Sequence, residues 1–360
     1  MKRIALSIIS FLLILFAGLY TWARLTTLHP AETQEETVSC AADAPQWDGR
    51  PLKVMSWNVQ YMAGKSYVFF YDLPDGSGPD ERPSHEEIEK TTLEVARIIN
   101  DERPDVILLQ ELDDGASKTD YRDQLADVLG LLTERYPCHA SAFYMKSAFT
   151  PHPHIRGATG MKLSTISRYQ MGKAIRHQLP TIPDNFVVKL FNFKRAVLEV
   201  RIPVTGKEPK KEAAFLNTHT DAFAQGTTTM QDQIDRIHGI LSDLKAQGIP
   251  FVIGGDFNLL PPEFARTELH PSVQAYYNDE TEIAPLFRDF APGATIEQLT
   301  GKDRAKYFTA YPNNPIASGP DRTIDYLFYD GLKMNRYYVR QHDTLKISDH
   351  LPLVGEFALP

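Results

Sequence analysis

Two short apolar runs set the tightest limit on this fold. Val106-Ile107-Leu108-Leu109 and Phe251-Val252-Ile253 contain no polar residue. A strand open to water on one side alternates, so an unbroken run reads as a strand covered on both faces. Other strand-like stretches lie at 53–59, 140–145, 161–167, 186–202, 213–218, 323–328, 337–341 and 353–357. Ser84 and Glu87 form a capping box ahead of Ile88, Thr92, Val95 and Ile99, and Pro104 ends that helix. A second helix is expected around 121–132, and Met230, Ile234, Ile237, Leu241 and Leu244 give a third its apolar face. Glycines and prolines mark 61–84 as a long loop, Gly254-Gly255 as a strand stop, and 259–306 reads as irregular. There is no repeat and no regular βαβ rhythm. Two sheets packed face to face with helices outside satisfy doubly covered strands better than a doubly wound parallel sheet.

The N-terminus has its own signature. Met1-Lys2-Arg3 precedes an uncharged run from Ile4 to Ala23, closed by Arg24. Twenty residues at 1.5 Å rise reach about 30 Å, a bilayer core. Tyr20 and Trp22 suit the interface, and the basic residues ahead of the run keep the N-terminus in the cytoplasm. The reading is a membrane anchor or signal segment over 1–25, with Thr21-Trp22-Ala23 as the cleavage site if it is a signal. A polar linker follows over 26–50, then one domain over 51–360. That domain then sits outside the cytoplasm, anchored, or is secreted or periplasmic after cleavage. Cys40 and Cys138 are the two cysteines. In an exported protein they suggest one disulfide; two unrelated buried thiols are the alternative.

Charge narrows the partners. The chain carries 38 Lys and Arg against 46 Asp and Glu, a net of −8 with no block of like charge. That disfavours a protein that coats polyanions, but not an enzyme that grips one phosphate.

Polar residues gather where strands end. Asn58 lies in the first strand of the domain, Glu111 follows 106–110, and His219 follows 213–218. Asp256 and Asn258 follow 251–253, Asp325 lies inside 323–328, and Asp349-His350 precede the last strand. Each alone reads as a turn residue or a satisfied core histidine. Together they read as functional groups presented by a rigid scaffold.

The motifs Ser56-Trp57-Asn58-Val59, Leu109-Gln110-Glu111, Asn217-Thr218-His219-Thr220, Gly255-Asp256-Phe257-Asn258, Thr323-Ile324-Asp325-Tyr326 and Ser348-Asp349-His350 occur in that order. The chain resembles the endonuclease/exonuclease/phosphatase superfamily, metal-dependent phosphoesterases related to pancreatic-type deoxyribonuclease. The resemblance implies a four-layered α/β sandwich of two mixed sheets and a phosphoric ester hydrolase. It implies metal held by Glu111, with Asn58 and Asp349 nearby. Hard oxygen donors suit Mg²⁺ or Mn²⁺. Asp256 would orient or deprotonate the attacking water, and Asn258 would donate to the phosphate. Asp325 would hold His350, and His350 and His219 would contact phosphate or move a proton. Lys194-Arg195-Ala196-Val197 resembles a segment where nuclease members place a phosphate-contacting arginine, here Arg195.

His219 and Gln60 stand where abasic-site endonucleases carry other residues, which argues against that branch. The substrate stays open between a lipid or sugar-phosphate ester and nucleic acid, the latter making the chain a surface nuclease. The aromatics Tyr67, Phe69, Phe70 and Tyr71 are local core, or they stack on bases or enter lipid. No obligate protein partner is expected. The competing class is a catalytically silent binding module at the surface, disfavoured because no metal or water-activating position is substituted.

Overall fold

A computed structural model describes residues 2–206 and 211–360. Met1, at the head of the expected anchor, lies outside the described residues, as do 207–210.

Two seven-stranded mixed sheets form the body. One runs β1 (Thr33–Glu36), β7 (Lys173–Gln178), β8 (Ala196–Val204), β9 (Lys211–His219), β10 (Phe251–Asp256), β12 (Asp325–Asp330) and β11 (Ala291–Pro292). The other runs β13 (Lys333–Val339), β14 (Leu353–Ala358), β3 (Leu52–Asn58), β4 (Val106–Asp113), β6 (Gly157–Ser167), β5 (Cys138–Thr150) and β2 (Val38–Cys40). Both apolar runs lie centrally, β4 in one sheet and β10 in the other, as strands covered on both faces must.

Alternation divides each central strand between two cores. Leu108 joins Val54, Phe215, Val252 and Leu327 between the sheets. Ile107 and Leu109 turn outward, toward Ile88, Val95 and Ile99 of helix α2 (His85–Glu102) and Val128 of α3 (Gln124–Leu131). On the far side, Ile234, Ile237, Leu241 and Leu244 of α5 (Thr229–Ala246) cover Leu216, Phe251 and Ile253. The result is four layers, helix–sheet–sheet–helix. Each fully buried leucine or isoleucine contributes roughly 1.5–3 kcal/mol. Ser84 caps α2 by accepting from the Glu87 amide at 3.2 Å.

Three expectations change and two open alternatives close. The stretch 26–50 is not a bare linker: β1 pairs with β7, β2 pairs with β5, and Trp47 is 1 % exposed in the inter-sheet core. Its edge strands are short and polar, so no periodicity marks them. The Cys40 and Cys138 alternatives resolve to a disulfide, which fastens β2 to β5. Gly254-Gly255 does not stop β10, which runs on to Asp256. A Cβ on Gly254 would lie 2.7 Å from Leu327 and 2.9 Å from Leu108, so glycine lets the sheets close here. The stretch 186–202 is not one strand: a single turn α4 (Val188–Phe191) precedes β8. Of the aromatics at 67–71, three turn inward, Phe69 into the core with Tyr67 and Tyr71 stacked on it at 5.7 and 5.6 Å, while Phe70 stacks on His154 at 4.6 Å.

Helix α1 (Lys2–Thr26) is long and apolar enough to cross a membrane; it stands exposed from Lys2 to Leu19, and Ala23 is buried at its foot.

Candidate active site

Strand polarity brings the polar motifs to one end of the sandwich. β9 and β10 are parallel, with Asp256 opposite His219; β12 is antiparallel to β10, with Asp325 opposite Asp256. One row across this sheet therefore reads His219, Asp256, Asp325. In the facing sheet β3 and β4 are parallel, with Asn58 opposite Gln110, so Glu111 emerges at the same end. The segment 348–350 returns there before β14, and Ser348 Oγ donates to the Asn58 carbonyl at 2.9 Å.

Glu111 reaches the cleft through a backbone irregularity. Between Leu109 and Leu112 the β4–β6 register shifts, and Glu111 takes φ 59°. Such bulges re-aim a side chain beside functional sites. Asn258 is likewise left-handed at φ 51°. Its amide donates to the Thr220 carbonyl at 3.2 Å, and its own N–H donates to Asp256 Oδ1 at 2.9 Å.

The groups form one connected system. Glu111 Oε1 accepts from Asn58 Nδ2 at 3.0 Å and from His219 Nε2 at 3.0 Å. Asn58 Nδ2 also donates to Asp256 Oδ2 at 3.1 Å, which ties the two sheets together. His219 Nδ1 lies 3.6 Å from Asp256 Oδ2. His350 Nδ1 donates to Asp325 Oδ2 at 2.8 Å, leaving Nε2 3.5 Å from Asp256. Thr309 Oγ1 accepts from the Asp325 amide at 3.1 Å and so fixes the start of β12. Behind the cleft Gln110 Nε2 donates to Asn217 Oδ1 at 2.7 Å, a buried amide bridge between sheets.

Electrostatics separate the carboxylates. Burial alone would raise Glu111, but His219, Asn58 and Lys118 outweigh it and hold the carboxyl at about 2. Burial lifts Asp325 to about 6; His350 opposes the lift and Asp256 adds to it. Burial raises Asp349 as well, helped by Glu111 and opposed by His350 and Lys65. Burial lowers His350, yet Asp325, Asp256 and Asp349 together carry it well above the ordinary histidine value.

All eight expected catalytic and metal residues thus meet at one end: Asn58, Glu111, His219, Asp256, Asn258, Asp325, Asp349 and His350. Asn58 turns its amide NH₂ to the carboxylates and gives its carbonyl to the Gln60 N–H at 3.0 Å. In this arrangement it orients Glu111 and Asp256. Arg195 is buried at the flank. Its Nε donates to Asp221 Oδ1 at 3.1 Å and its guanidinium lies 5.0 Å from the Tyr144 ring centre. Tyr144 in turn meets His219 edge-on at 5.8 Å, and Arg195 Nη1 is buried without a partner.

The sequence reading missed two cations. Lys65 donates to the Tyr311 carbonyl, lies over its ring and faces the charges of Asp349 and Asp72. Lys118 lies 3.6 Å from Asp113 and over the Tyr61 ring. Lys65 sits on a loop and Lys118 in a single 3-10 turn (Ser117–Thr119), where neither periodicity nor a strand end marks a lysine; Lys65 does follow Gly64 in the loop that leaves Asn58.

The donors suit a hard divalent cation. Glu111 is ionised, and Asp349 is a second carboxylate with no lysine or arginine within salt-bridge distance among the described residues. Asp256, Asp325 and His350 bring ligand atoms within 4.8 Å of one another. Oxygen-rich, negatively charged sites take Mg²⁺, Mn²⁺ or Ca²⁺. The two cysteines are bonded to each other, so no thiolate is available for a softer ion.

Comparisons with known proteins bear on the family and the fold. The family model described as Endonuclease/Exonuclease/phosphatase family matches residues 55–350. Among solved structures, an endonuclease/exonuclease/phosphatase from Beutenbergia cavernae matches with 21 % identity and TM-score 0.55, over 86 % of this chain and 72 % of that one. The human Nocturnin catalytic domain with bound sulfate matches with 16 % identity and TM-score 0.52, over 90 % and 98 %. A Bacteroides vulgatus endonuclease/exonuclease/phosphatase matches with 12 % identity and TM-score 0.52, over 86 % and 99 %. At these identities the likeness is one of fold. No curated protein matches the chain.

Proposed function

The chain belongs to the Endonuclease/Exonuclease/phosphatase family of metal-dependent phosphoester hydrolases, and we propose from that premise a Mg²⁺- or Mn²⁺-dependent phosphodiesterase held outside the cytoplasm by α1. The observation that carries the residue roles is the single hydrogen-bonded system from Asn58 through Glu111, His219 and Asp256 toward the Asp325–His350 pair. The domain assignment follows: α1 as anchor over 1–25 and a catalytic domain over 51–360, with 26–50 now serving as its edge.

Glu111 and Asp349 would hold the metal, with Asn58 steadying Glu111. The bound ion would neutralise phosphate charge and the charge that develops on the leaving oxygen. Asp256, held by Asn58 and the Asn258 amide, accepts a hydrogen bond from water. As the water oxygen bonds to phosphorus, its proton passes to Asp256 and the ester P–O bond breaks. The departing oxygen takes its proton from solvent. Asp325 fixes Nδ1 of His350 and favours the imidazolium, so Nε2–H donates to a phosphate oxygen. His219 orients Glu111, and Asn258 and Arg195 supply further donors to the phosphate.

The test is purified full-length chain in detergent with Mg²⁺ or Mn²⁺. Its substrates are bis(p-nitrophenyl) phosphate, plasmid DNA, RNA, sphingomyelin and phosphatidylinositol phosphates. Turnover of at least one, abolished by EDTA and restored by either ion, is expected. Full activity of rigorously metal-free protein, or no turnover of any with metal present, overturns the reading.

A further inference from the structure

The catalytic cleft and the foot of α1 lie at the same end of the sandwich. Thr27 forms a β-bridge with Ser147, and Leu28 N donates to the Lys146 carbonyl at 2.9 Å. Those residues sit near the end of β5, two strands from β4, which carries Glu111. Thr27 itself stands one strand place beyond β5, so the helix foot is three strand spacings from β4, about 14 Å. On the other sheet, the catalytic row runs on past β9 to Ala196 of β8 and Gln178 of β7. Gln178 lines a cavity of about 660 Å³ with Arg24, His29, Lys194 and Arg236, beside the base of α1.

The loop between β7 and β8 climbs the helix itself. Phe186, 61 % exposed, meets Tyr20 edge-on at 5.5 Å. Tyr20 is six residues before Thr26, about 9 Å up the helix axis. A side chain at that height beside an apolar, membrane-long helix stands at the depth of the bilayer interface.

The remaining exposed apolar side chains follow the same polarity. Outside α1 eight large ones are exposed among the described residues, and six lie on segments at the catalytic end: Tyr121, Phe149, Phe186, Val188, Phe223 and Ile316. Leu93 and Leu131, the other two, lie on α2 and α3. Among the described residues the opposite end exposes only Leu131, at the close of α3, and the turn at Gly331 exposes none. Aromatic and aliphatic side chains ringing one end, with basic residues beside them, fit a headgroup layer over apolar chains.

We infer that the catalytic end is the membrane-facing end, and that the substrate is a phosphoester carried by a lipid of the bilayer that holds α1. This rests on the phosphodiesterase reading and on α1 remaining attached. A lipid diffuses in the plane and reaches a cleft about three strand spacings from the helix foot without leaving the membrane. Water adds to phosphorus and one ester P–O bond breaks, so one product stays in the bilayer and the other enters the solution. A long polyanion would instead have to enter between an acidic protein and the membrane surface.

The test uses the full chain in vesicles of phosphatidylcholine, sphingomyelin and phosphatidylglycerol. Single variants Phe223→Cys, Ile316→Cys and Lys333→Cys carry an environment-sensitive fluorophore. Lipids brominated near the headgroup should quench the first two at least twofold and leave Lys333→Cys, at the opposite end, unchanged. The triple variant Phe186→Ser/Phe223→Ser/Ile316→Ser should lose at least tenfold in headgroup release from the vesicles. It should keep bis(p-nitrophenyl) phosphate hydrolysis within twofold. Equal quenching at all three sites, no quenching at 223 and 316, equal loss on both substrates, or a mature mass lacking α1 overturns the inference. Hydrolysis of DNA or RNA without headgroup release overturns the lipid substrate. Quenching at 223 and 316 with no turnover of any ester would sink the enzymatic reading instead and leave the orientation standing.

Discussion

Glu111→Gln isolates the charge at the centre of the site. The amide keeps an Oε1 acceptor for Asn58 Nδ2 and His219 Nε2, both at 3.0 Å in the native protein, and removes only the charge. The native carboxyl is held at about 2 against an ordinary 4.5. A folded value below the unfolded one gives stability that is present above pH 4.5 and lost as pH falls through about 2. The gap is worth about 3 kcal/mol. The side chain is 19 % exposed, so solvent screening trims this only modestly. Urea unfolding in EDTA, from pH 2.5 to 7, should show the wild type gaining up to about 3 kcal/mol more than Glu111→Gln across that window. Other carboxylates held low, such as Asp343 beside Arg340, titrate in both proteins and cancel in the difference. At pH 7, Mg²⁺ at 100 times its dissociation constant should then stabilise the wild type by about 2.7 kcal/mol. The variant should gain almost nothing. Parallel pH curves, or equal stabilisation by Mg²⁺, would refute both the charge assignment and the placement of metal on Glu111.

Three further outcomes are expected. His350→Ala should lower kcat by roughly 10³-fold and Asp325→Asn by roughly 10- to 100-fold. The double variant should be little worse than His350→Ala, because the pair acts through one hydrogen bond; independent, multiplying losses would separate the two residues. Burial lowers His350 but its three carboxylate neighbours raise it further, so its stabilising contribution is full below pH 6.5 and lost as pH rises through the higher folded value. The stability difference between wild type and His350→Ala should therefore shrink with rising pH. Non-reduced protein should show no titratable thiol, since Cys40 and Cys138 are bonded across 98 residues. Reduction should cost at most about 4–5 kcal/mol by the chain-entropy model. A free thiol count of two in oxidised protein contradicts the bond.

The sequence exposed the site more readily than its surroundings, for physical reasons. Glu111, His219 and Asp256 close runs of buried apolar residues, and such runs are visible because both faces must be covered. The partnership of Asp325 with His350 was accessible through the family motifs, but not through spacing. β7 escaped because Arg176 occupies a buried position in it, held by the carbonyls of Phe143 and Lys194, so its alternation looks polar. β1 and β2 escaped because edge strands of three or four residues carry too little pattern to read. Lys65 and Lys118 are placed by a loop and a single 3-10 turn, too short for any periodicity to encode. The disulfide depended on β2 lying beside β5, and 26–50 gave no sign that it would.

The irregularity at Glu111 makes the site depend on a count of residues. In a regular strand, Gln110 facing the opposite sheet would send Glu111 outward beneath α2 and Leu112 inward. Instead Leu109 and Leu112 both pack on the helix side, and the two residues between them are free to face the cleft. Removing one of the two would restore strict alternation with Leu109 and Leu112 still on the helix side, leaving a single inward position for both the Gln110 bridge to Asn217 and the Glu111 carboxylate. Such a deletion would be more damaging than a substitution of Glu111, because it removes the bulge that aims the side chain and costs either the carboxylate or the buried bridge between the sheets. In this segment chain length is itself a functional constraint: point changes can vary the chemistry of the cleft, whereas insertions and deletions should be tolerated only in matched pairs that preserve the pleat.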